Sequence, residues 1–337
     1  MQEKDTWKIL KVDENWHGKR LDLFLEENLS ITRSRAKKLI EGNHVFIDGI
    51  MATKGGIKLK KGSIIRVELV EEEEEKFEPL PNPDLDVPVI YEDDYIAVIE
   101  KRAGLVVHPA CGHKNDTLVN ALIAKFRKLS SLGGSIRAGI VHRLDKDTSG
   151  LMIIVKDEKT HEILSDMFKD RKITKVYIAI TIGNSQKELG IIDKPIGRHP
   201  TDRKKMTIRK DGRSALTIYR IIKRNPPYNL VLAKILTGRT HQVRIHLKSI
   251  NLPIIGDEVY GKKHPLLNRQ ALHSSFLSFT HPITGQKLEL FSPPPIDMTE
   301  LMVKLDLYMD REELKSHIKA FLDEIKNLCI EPYQVSS

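Results

Sequence analysis

Three residues far apart in the chain could do chemistry together. Asp145 lies in "HRLDKDTSG", a burst of charge and turn formers between the apolar lead-in "GIV" and the apolar run "LMIIV". The Asp-Lys-Asp-Thr-Ser-Gly stretch favours a turn, so the carboxylate is expected at the start of a loop anchored by a buried strand. If residues 141–145 are extended, Val141, Arg143 and Asp145 share a face. A free Asp has a pKa of about 3.9 and is ionised at neutral pH. Such a group can act as a nucleophile or as a base. Tyr177 lies in "KVYIAI", whose alternation puts Val176, Ile178 and Ile180 on one face. Lys175, Tyr177 and Ala179 take the other face, a candidate cleft wall. "HQVRIHL" alternates in the same way, which predicts a strand with Val243, Ile245 and Leu247 toward a core and Gln242, Arg244 and His246 facing away. "TGRT" precedes it, with Gly238 and Arg239.

Each residue also has a plain structural account. An Asp in a turn serves the turn, a strand Tyr packs, and a strand Arg is solvated or ion-paired. Asp147 could be offered as the second carboxylate of a glycosidase-like pair, but capping the turn is the simpler reading. His108, Cys111 and His113 form His-x-x-Cys-x-His, with no evident fourth ligand for a metal.

The elements around these residues are legible. "GKRLDLFLEENL" spaces Leu21, Phe24 and Leu25 on one helical face. "TRSRAKKLIEG" predicts a second helix, with Thr32 as N-cap, Gly42 as stop and Ala36, Leu39 and Ile40 as its apolar stripe. Arg33, Arg35, Lys37 and Lys38 crowd the rest of its surface. "HVFIDGIMA" reads as two short strands about an Asp48-Gly49 hairpin, and "KGSIIRVEL" as a closing strand. Five glutamates and then four prolines through Pro88 make an extended linker. Beyond it, strand-like runs alternate with helical stretches such as "TLVNALIAKF" and "KTHEILSDMFKD". The expected fold is α+β. A small N-terminal module (18–70) and an acidic, proline-rich linker (71–88) precede a main domain (89–295) with a large mixed or antiparallel sheet and a central cleft. A C-terminal helical extension (296–337) follows, with Leu301, Leu305, Ile318, Phe321 and Ile325 as its packing face.

Composition narrows the function. The chain has 337 residues, 40% hydrophobic and 30% charged, with a formal net charge of +9. That describes a globular protein with a polyanionic partner, such as nucleic acid. Cys111 and Cys329 are too far apart for a disulfide framework. "MQEKDTWKIL" has no apolar signal core, and no apolar run approaches the roughly 20 residues of a membrane span. A cytoplasmic protein without a membrane partner is expected. "RHPTDRKKMTIRKDGR" holds seven Arg or Lys against two Asp, which suggests a phosphate-contacting loop that includes Arg203, Lys204 and Lys205.

"GIVHRLDKDTSGLMIIVKDEKTH", "KVYIAITIG", "KPIGRHPTDRKKMTI", "GRTHQVRIHL", "PIIGDEVYG" and "LHSSFLSFTHPITGQKLELFSPPP" occur in one order. Together they resemble the RluA-type (RluD-like) pseudouridine synthases of ribosomal RNA and some transfer RNA. Residues 18–68 resemble the alpha-L RNA-binding motif often fused in front of such enzymes. The resemblance implies that Asp145 is the essential carboxylate, that Tyr177 stacks on the target base and that Arg244 pairs with Asp145. It implies that Arg143 fills the space left when the base turns out of the RNA. His142 and Arg239 join it as RNA-binding candidates, as do Arg33, Arg35, Lys37 and Lys38. Glu100-Lys101-Arg102 stands where the family commonly has Asn-Lys-Pro, and "LHSS" where it has Leu-His-Ala. Both departures bear on loop shape.

The implied reaction breaks the bond from ribose C1′ to uracil N1, turns the base and joins C1′ to C5. There is no redox step and no leaving group, so neither cofactor nor metal is expected. A stacked uridine must first be flipped out, at a cost of a few kcal/mol. Stacking on an aromatic side chain returns roughly 1–3 kcal/mol. The expected partner is large-subunit ribosomal RNA, with transfer RNA as the alternative substrate and a monomer as the working form. A rival reading is a non-catalytic RNA-binding or ribosome-assembly protein on the same fold.

Overall fold

A computed structural model describes residues 7–70, 78–110, 112–202 and 205–326. Arg203, Lys204, Cys111, Cys329 and the glutamate run 71–75 lie outside the described residues. The chain divides into two compact units, Met1–Lys76 and Phe77–Ser337.

The first unit comprises β1 (Trp7–Lys11), α1 (Leu21–Asn28), α2 (Arg33–Glu41), β2 (Val45–Ile47), β3 (Ile50–Met51) and β4 (Ile64–Glu68). Its sheet runs β1-β4-β2-β3, so residues ahead of position 18 supply an edge strand. Thr32 caps α2 by accepting a hydrogen bond from the Arg35 N–H at 3.3 Å, and Gly42 ends the helix. Leu21, Phe24 and Leu25 of α1 meet Ala36, Leu39 and Ile40 of α2 over Val45, Ile65 and Val67 of the sheet. Each helix thus buries the apolar stripe that its sequence spacing defines.

The second unit carries β5 (Val89–Glu92), β6 (Ile96–Lys101), α3 (Leu118–Lys125), β7 (Ser149–Val155), α4 (Glu158–Lys169) and β8 (Thr174–Ile182). There follow β9 (Leu189–Asp193), β10 (Ile196–Arg198), β11 (Met206–Ile208), β12 (Leu216–Asn225), β13 (Tyr228–Ile235) and α5 (Gln242–Lys248). The unit ends with β14 (Leu272–Thr280), β15 (Lys287–Phe291), α6 (Ile296–Lys304) and α7 (Arg311–Lys326). The main sheet has the order β5-β6-β7-β14-β8-β13-β12-β9, with β15 on β14. It is mixed, because β14 runs parallel to β7 and antiparallel to β8. Both faces are covered, which explains why "GLMIIV" is apolar without interruption. Met152 and Ile154 enter one core with α3, α6 and α7, while Leu151, Ile153 and Val155 enter a second core with Leu164 of α4.

Gly150 makes this sheet possible. Its φ is +117°, and a Cβ there would lie 2.3 Å from the Ser274 carbonyl oxygen of β14. Only glycine lets β7 approach β14 at the strand end that follows Asp145.

The strand expected over "HQVRIHL" is a helix, α5. His241 takes a left-handed φ of +58° and turns the chain into it. Val243 and Leu247 are four residues apart, so they share a helical face as readily as a strand face. Both enter the main core, while Ile245 packs in a small cluster with Ile196, Ala215 and Tyr260. Gln242, Arg244 and His246 do not face away; all three are buried. Residues 141–145 lie in a loop between Ile140 and β7, outside any strand.

Asp22 holds the first unit's helices together. Its fully buried side chain accepts from Arg20 Nε and Nη2, both at 2.8 Å, and from Arg33 Nε at 3.1 Å and Nη2 at 2.9 Å. The Arg20 hydrogen bonds, joined by Arg33, hold the Asp22 carboxyl well below the ordinary range against the opposing effect of burial. The folded unit therefore keeps this carboxylate ionised to lower pH than the unfolded chain does. Its contribution is complete above the unfolded pKa of about 3.9 and is lost as pH falls through the lower folded value. Asp22→Asn is expected to cost about 1–3 kcal/mol at pH 7. In melts from pH 7 to 2 the gap to wild type should close below pH 4, and a constant gap would contradict this account.

Candidate active site

The loop carrying Asp145 is pinned at nearly every residue. His142 Nε2 accepts the Ile153 N–H at 2.8 Å. Thr148 N–H returns to the Asp145 carbonyl at 3.1 Å, closing the turn. The Lys146 carbonyl accepts from Gly104 N–H at 3.0 Å and from Lys101 Nζ at 2.8 Å. Lys101 is fully buried and spends its other two donors on the Arg102 and Leu105 carbonyls at 2.8 and 2.9 Å. Burial pulls its pKa down to about 7, opposed by the charges of Asp147 and Asp145. Arg269 Nη1 reaches the Asp147 carbonyl at 3.4 Å, and Gln270 Nε2 donates to Thr148 Oγ1 at 3.2 Å. A loop so constrained holds its carboxylate in one place.

α5 brings Arg244 to that carboxylate. Arg244 Nη1 donates to Asp145 Oδ2 at 3.0 Å. Its other edge grips Asp257, with Nε to Oδ2 at 2.7 Å and Nη2 to Oδ1 at 2.8 Å. Asp257 also accepts the N–H groups of Val259 and Tyr260 at 3.0 and 3.1 Å. Arg244 and Asp257 are both buried, whereas the Asp145 side chain stays 21% exposed. Burial alone would lower the Arg244 pKa, but the bonds and charges of Asp257 and then Asp145 win and raise it. The guanidinium is therefore a fixed cation, oriented from behind and presented to Asp145 in front.

Tyr260 packs against this pair, with the Arg244 guanidinium carbon 5.0 Å from its ring centroid. Its hydroxyl accepts the Met206 N–H at 2.8 Å and meets His241 Nδ1 at 2.7 Å. His241 Nε2 in turn lies 3.8 Å from Asp145 Oδ1. Burial holds the His241 pKa below its ordinary value, with the nearby Asp145 carboxylate opposing.

Asp145, Arg244 and Tyr177 line one cavity of about 340 Å³, within the size range of small-ligand sites. Val141, His142, Arg143 and Leu144 line it as well, as do Phe168, Lys169, Lys175, Gly238, Arg239 and His241. Consecutive residues 141–145 all contribute. Asp145 is the one carboxylate among the lining residues. Asp147 lines a different cavity, with Ala103, Gly104 and Arg269. The site therefore offers one carboxylate facing an aromatic wall, without the paired carboxylates of an ordinary glycosidase. Burial, and then the Asp145 charge, raise the Tyr177 pKa well above its ordinary value, so the phenol stays neutral and serves as a ring surface.

The other sequence-predicted residues fall in several places. Arg143 is exposed at the cavity rim, with Nη1 3.4 Å from His108 Nε2. Arg239 anchors through Nε to the Ser214 carbonyl at 3.0 Å. His142 packs on Phe168 with ring centroids 4.7 Å apart and planes tilted by 34°, and its Nε2 is committed to backbone, so it forms wall. In the first unit Lys37 and Lys38 are exposed, Arg33 is tied to Asp22, and Arg35 Nη2 reaches the Val70 carbonyl at 3.5 Å. Lys205 lies 3.5 Å from Asp202. Sequence reading missed Asp257, Tyr260, His241 and Lys101 as parts of the site. "PIIGDEVYG" held a signal for the first two, because a turn block with acids (Asp257, Glu258) set between apolar residues is a place for a buried ion pair.

Asp257→Ala would leave Arg244 buried beside one partly exposed carboxylate. Removing one member of a buried pair costs about 3–5 kcal/mol. The denaturant midpoint should fall accordingly at an unchanged slope, and a loss under about 1 kcal/mol would show that the clamp is not structural.

With the geometry in place, comparison with known proteins is specific. Residues 95–249 match the family model described as RNA pseudouridylate synthase, and residues 19–65 match that of the S4 domain. The "Uncharacterized RNA pseudouridine synthase YlyB" of Bacillus subtilis is 38% identical, over 88% of this chain and 97% of its own length. The "Ribosomal large subunit pseudouridine synthase D" of Escherichia coli O157:H7 is also 38% identical, over 86% of this chain and 92% of its own. Among solved structures, "Human RNA Pseudouridylate Synthase Domain Containing 1" superposes with a TM-score of 0.56 at 24% identity, over 71% of this chain and 97% of its own, a likeness of fold. The first unit carries an S4 domain, and the chain belongs to the RNA pseudouridine synthase family.

Proposed function

We propose that the protein converts uridine to pseudouridine in large-subunit ribosomal RNA, with Asp145 as the reacting carboxylate. The observation that carries this reading is a single carboxylate, held by Arg244 at 3.0 Å, in a cavity walled by Tyr177. Relatives whose printed names specify the ribosomal large subunit support the choice of RNA. Acting on ribosomal RNA makes the cytoplasm the place of work.

The target uridine leaves its stack, and Arg143 at the rim fills the gap. The uracil lies against Tyr177. Asp145 acts on the ribose, as a nucleophile at C1′ or as a base on the sugar. Cleavage of C1′–N1 frees the base, which turns so that C5 bonds to C1′. C5 gives up its proton and N1 gains one, so the product is an isomer of the substrate. Arg244 keeps the carboxylate aimed throughout, and Arg239 and Lys205 contribute to RNA contact, while His142, expected from the sequence to touch RNA, shapes the cavity wall. Arg203 and Lys204, outside the described residues, belong to the same basic loop by sequence.

The test is to incubate the protein with unmodified ribosomal RNA and map pseudouridine by chemical labelling and primer extension. Wild type should introduce the modification, and Asp145→Asn should slow it by on the order of 10³-fold or more. New pseudouridine absent from every ribosomal RNA but present in transfer RNA would reassign the substrate. Its absence from both would leave an RNA-binding protein. Release of free uracil would mark a hydrolase.

The first unit is assigned RNA affinity through α2. Arg33 serves Asp22 as well, so a clean test spares it. Lys37→Gln with Lys38→Gln should weaken RNA binding and reduce the log–log salt slope by about 1.4–1.8. An unchanged slope would remove α2 from the RNA surface.

A further inference from the structure

One charged group in the cavity has no part in the reaction described so far. Lys175 sits two residues before Tyr177 on β8 and lines the same cavity. The side chain is 9% exposed. Among the described residues no carboxylate pairs with it and no hydrogen bond is formed. It lies over the Phe168 ring, whose centroid is 5.0 Å from Nζ. Across the cavity, a Cβ at Gly238 would stand 4.0 Å from Nζ, so the "TGRT" turn crosses close to the ammonium without covering it with a side chain.

Such a group is costly to keep. An ammonium taken from water without a counter-ion is disfavoured, and burial alone pulls the Lys175 pKa down to about 8. The contact with Phe168 offsets part of that cost. A position chosen for packing alone would hold Met or Leu at no such penalty. Among the described residues no carboxylate compensates the rest. His142, which also packs on Phe168, is held neutral by burial and then by Lys175 itself. Arg143, Lys169, Arg239 and Arg244 add further positive charge to the cavity, against Asp145 alone. Asp145 already belongs to Arg244. What the cavity lacks is an anion beside Lys175.

We propose that Lys175 is a phosphate subsite: its ammonium binds one phosphodiester next to the flipped uridine. Lys and Tyr at i and i+2 point to the same face, about 6.6 Å apart along a strand. A nucleotide whose base lies against Tyr177 carries its flanking phosphates along the same face of the cavity. A compact point charge suits a phosphate oxygen, with no demand for the planar fork of arginine. Lys175 thus registers the backbone so that C1′ meets Asp145, as a positioning residue. The inference rests on the function proposed above, and affinity provides a readout that does not depend on turnover.

The experiment is a mutant-by-linkage cycle. Wild type, Lys175→Met, Lys175→Gln and Lys175→Arg are titrated with RNA spanning the modified uridine. The RNA carries either ordinary linkages or one neutral methylphosphonate on the 5′ or the 3′ side of that uridine. Lys175→Met should weaken binding to ordinary RNA about tenfold and lower the salt slope by about 0.7. Lys175→Arg should recover most of the affinity. One of the two neutral linkages should weaken wild type by a similar factor and leave Lys175→Met unaffected. In single turnover at saturating RNA, Lys175→Met should also lower the maximal rate, because C1′ is no longer held in register with Asp145, and Lys175→Arg should restore most of it. A linkage penalty equal in wild type and mutant would overturn the proposal, as would wild-type affinity in Lys175→Met. Should both neutral variants fail to fold, an unpenalised wild type at both linkages overturns it equally. RNA bound with this signature but never modified would refute the enzymatic reading and leave the subsite standing.

Discussion

The site depends on one guanidinium between two carboxylates. Arg244 is buried, and a buried cation must be paired or its cost falls on the whole fold. Asp257 meets that need, since it takes two of the guanidinium's donors and is itself satisfied by two backbone N–H groups. That division leaves Asp145 free for other work. Were Arg244 held by Asp145 alone, the reacting carboxylate would also carry the fold, and any movement of it would expose an unpaired charge. With Asp257 behind, the cation stays put while Asp145 faces the cavity.

The surrounding architecture answers the same demand from the other side. β7 and β14 meet so closely at Gly150 that the loop before β7 has a rigid base. Lys101, Arg269 and Gln270 then fix the loop through its carbonyls and Thr148. Buried polar groups of this kind are tolerable because each is satisfied. The two departures from the family pattern, at 100–102 and in "LHSS", fall on this support. Lys101 keeps its three carbonyl bonds with Arg102 following it, and Ser274 is the residue that crowds Gly150.

Much of this was legible in the chain because local signals agreed with the fold. The capped helix 33–41, the Asp48-Gly49 hairpin and the strands around Met152 and Tyr177 all follow from spacing and turn chemistry. The helix at 242–248 did not, for a physical reason. In "HQVRIHL" every second residue is apolar, and positions 243 and 247 suit both periods. What decides is enclosure on all sides, set by partners such as Thr217, Leu216 and Tyr260 that lie elsewhere in the sequence. Asp257 was hidden likewise, since its meaning comes only from the guanidinium that folding brings to it. Arg33 shows the converse: a basic residue on an exposed helix looked like RNA surface, yet it is bonded to a buried acid.

The central claim is that Arg244 acts by aiming Asp145, and single-turnover kinetics of Arg244→Lys test it most directly. Lysine keeps the charge but cannot hold Asp257 with two donors and Asp145 with a third. The account predicts a fall of about 10²-fold or more in the rate of pseudouridine formation at saturating RNA, with RNA affinity within about threefold of wild type. A variant that folds, binds RNA and turns over at the wild-type rate would contradict it.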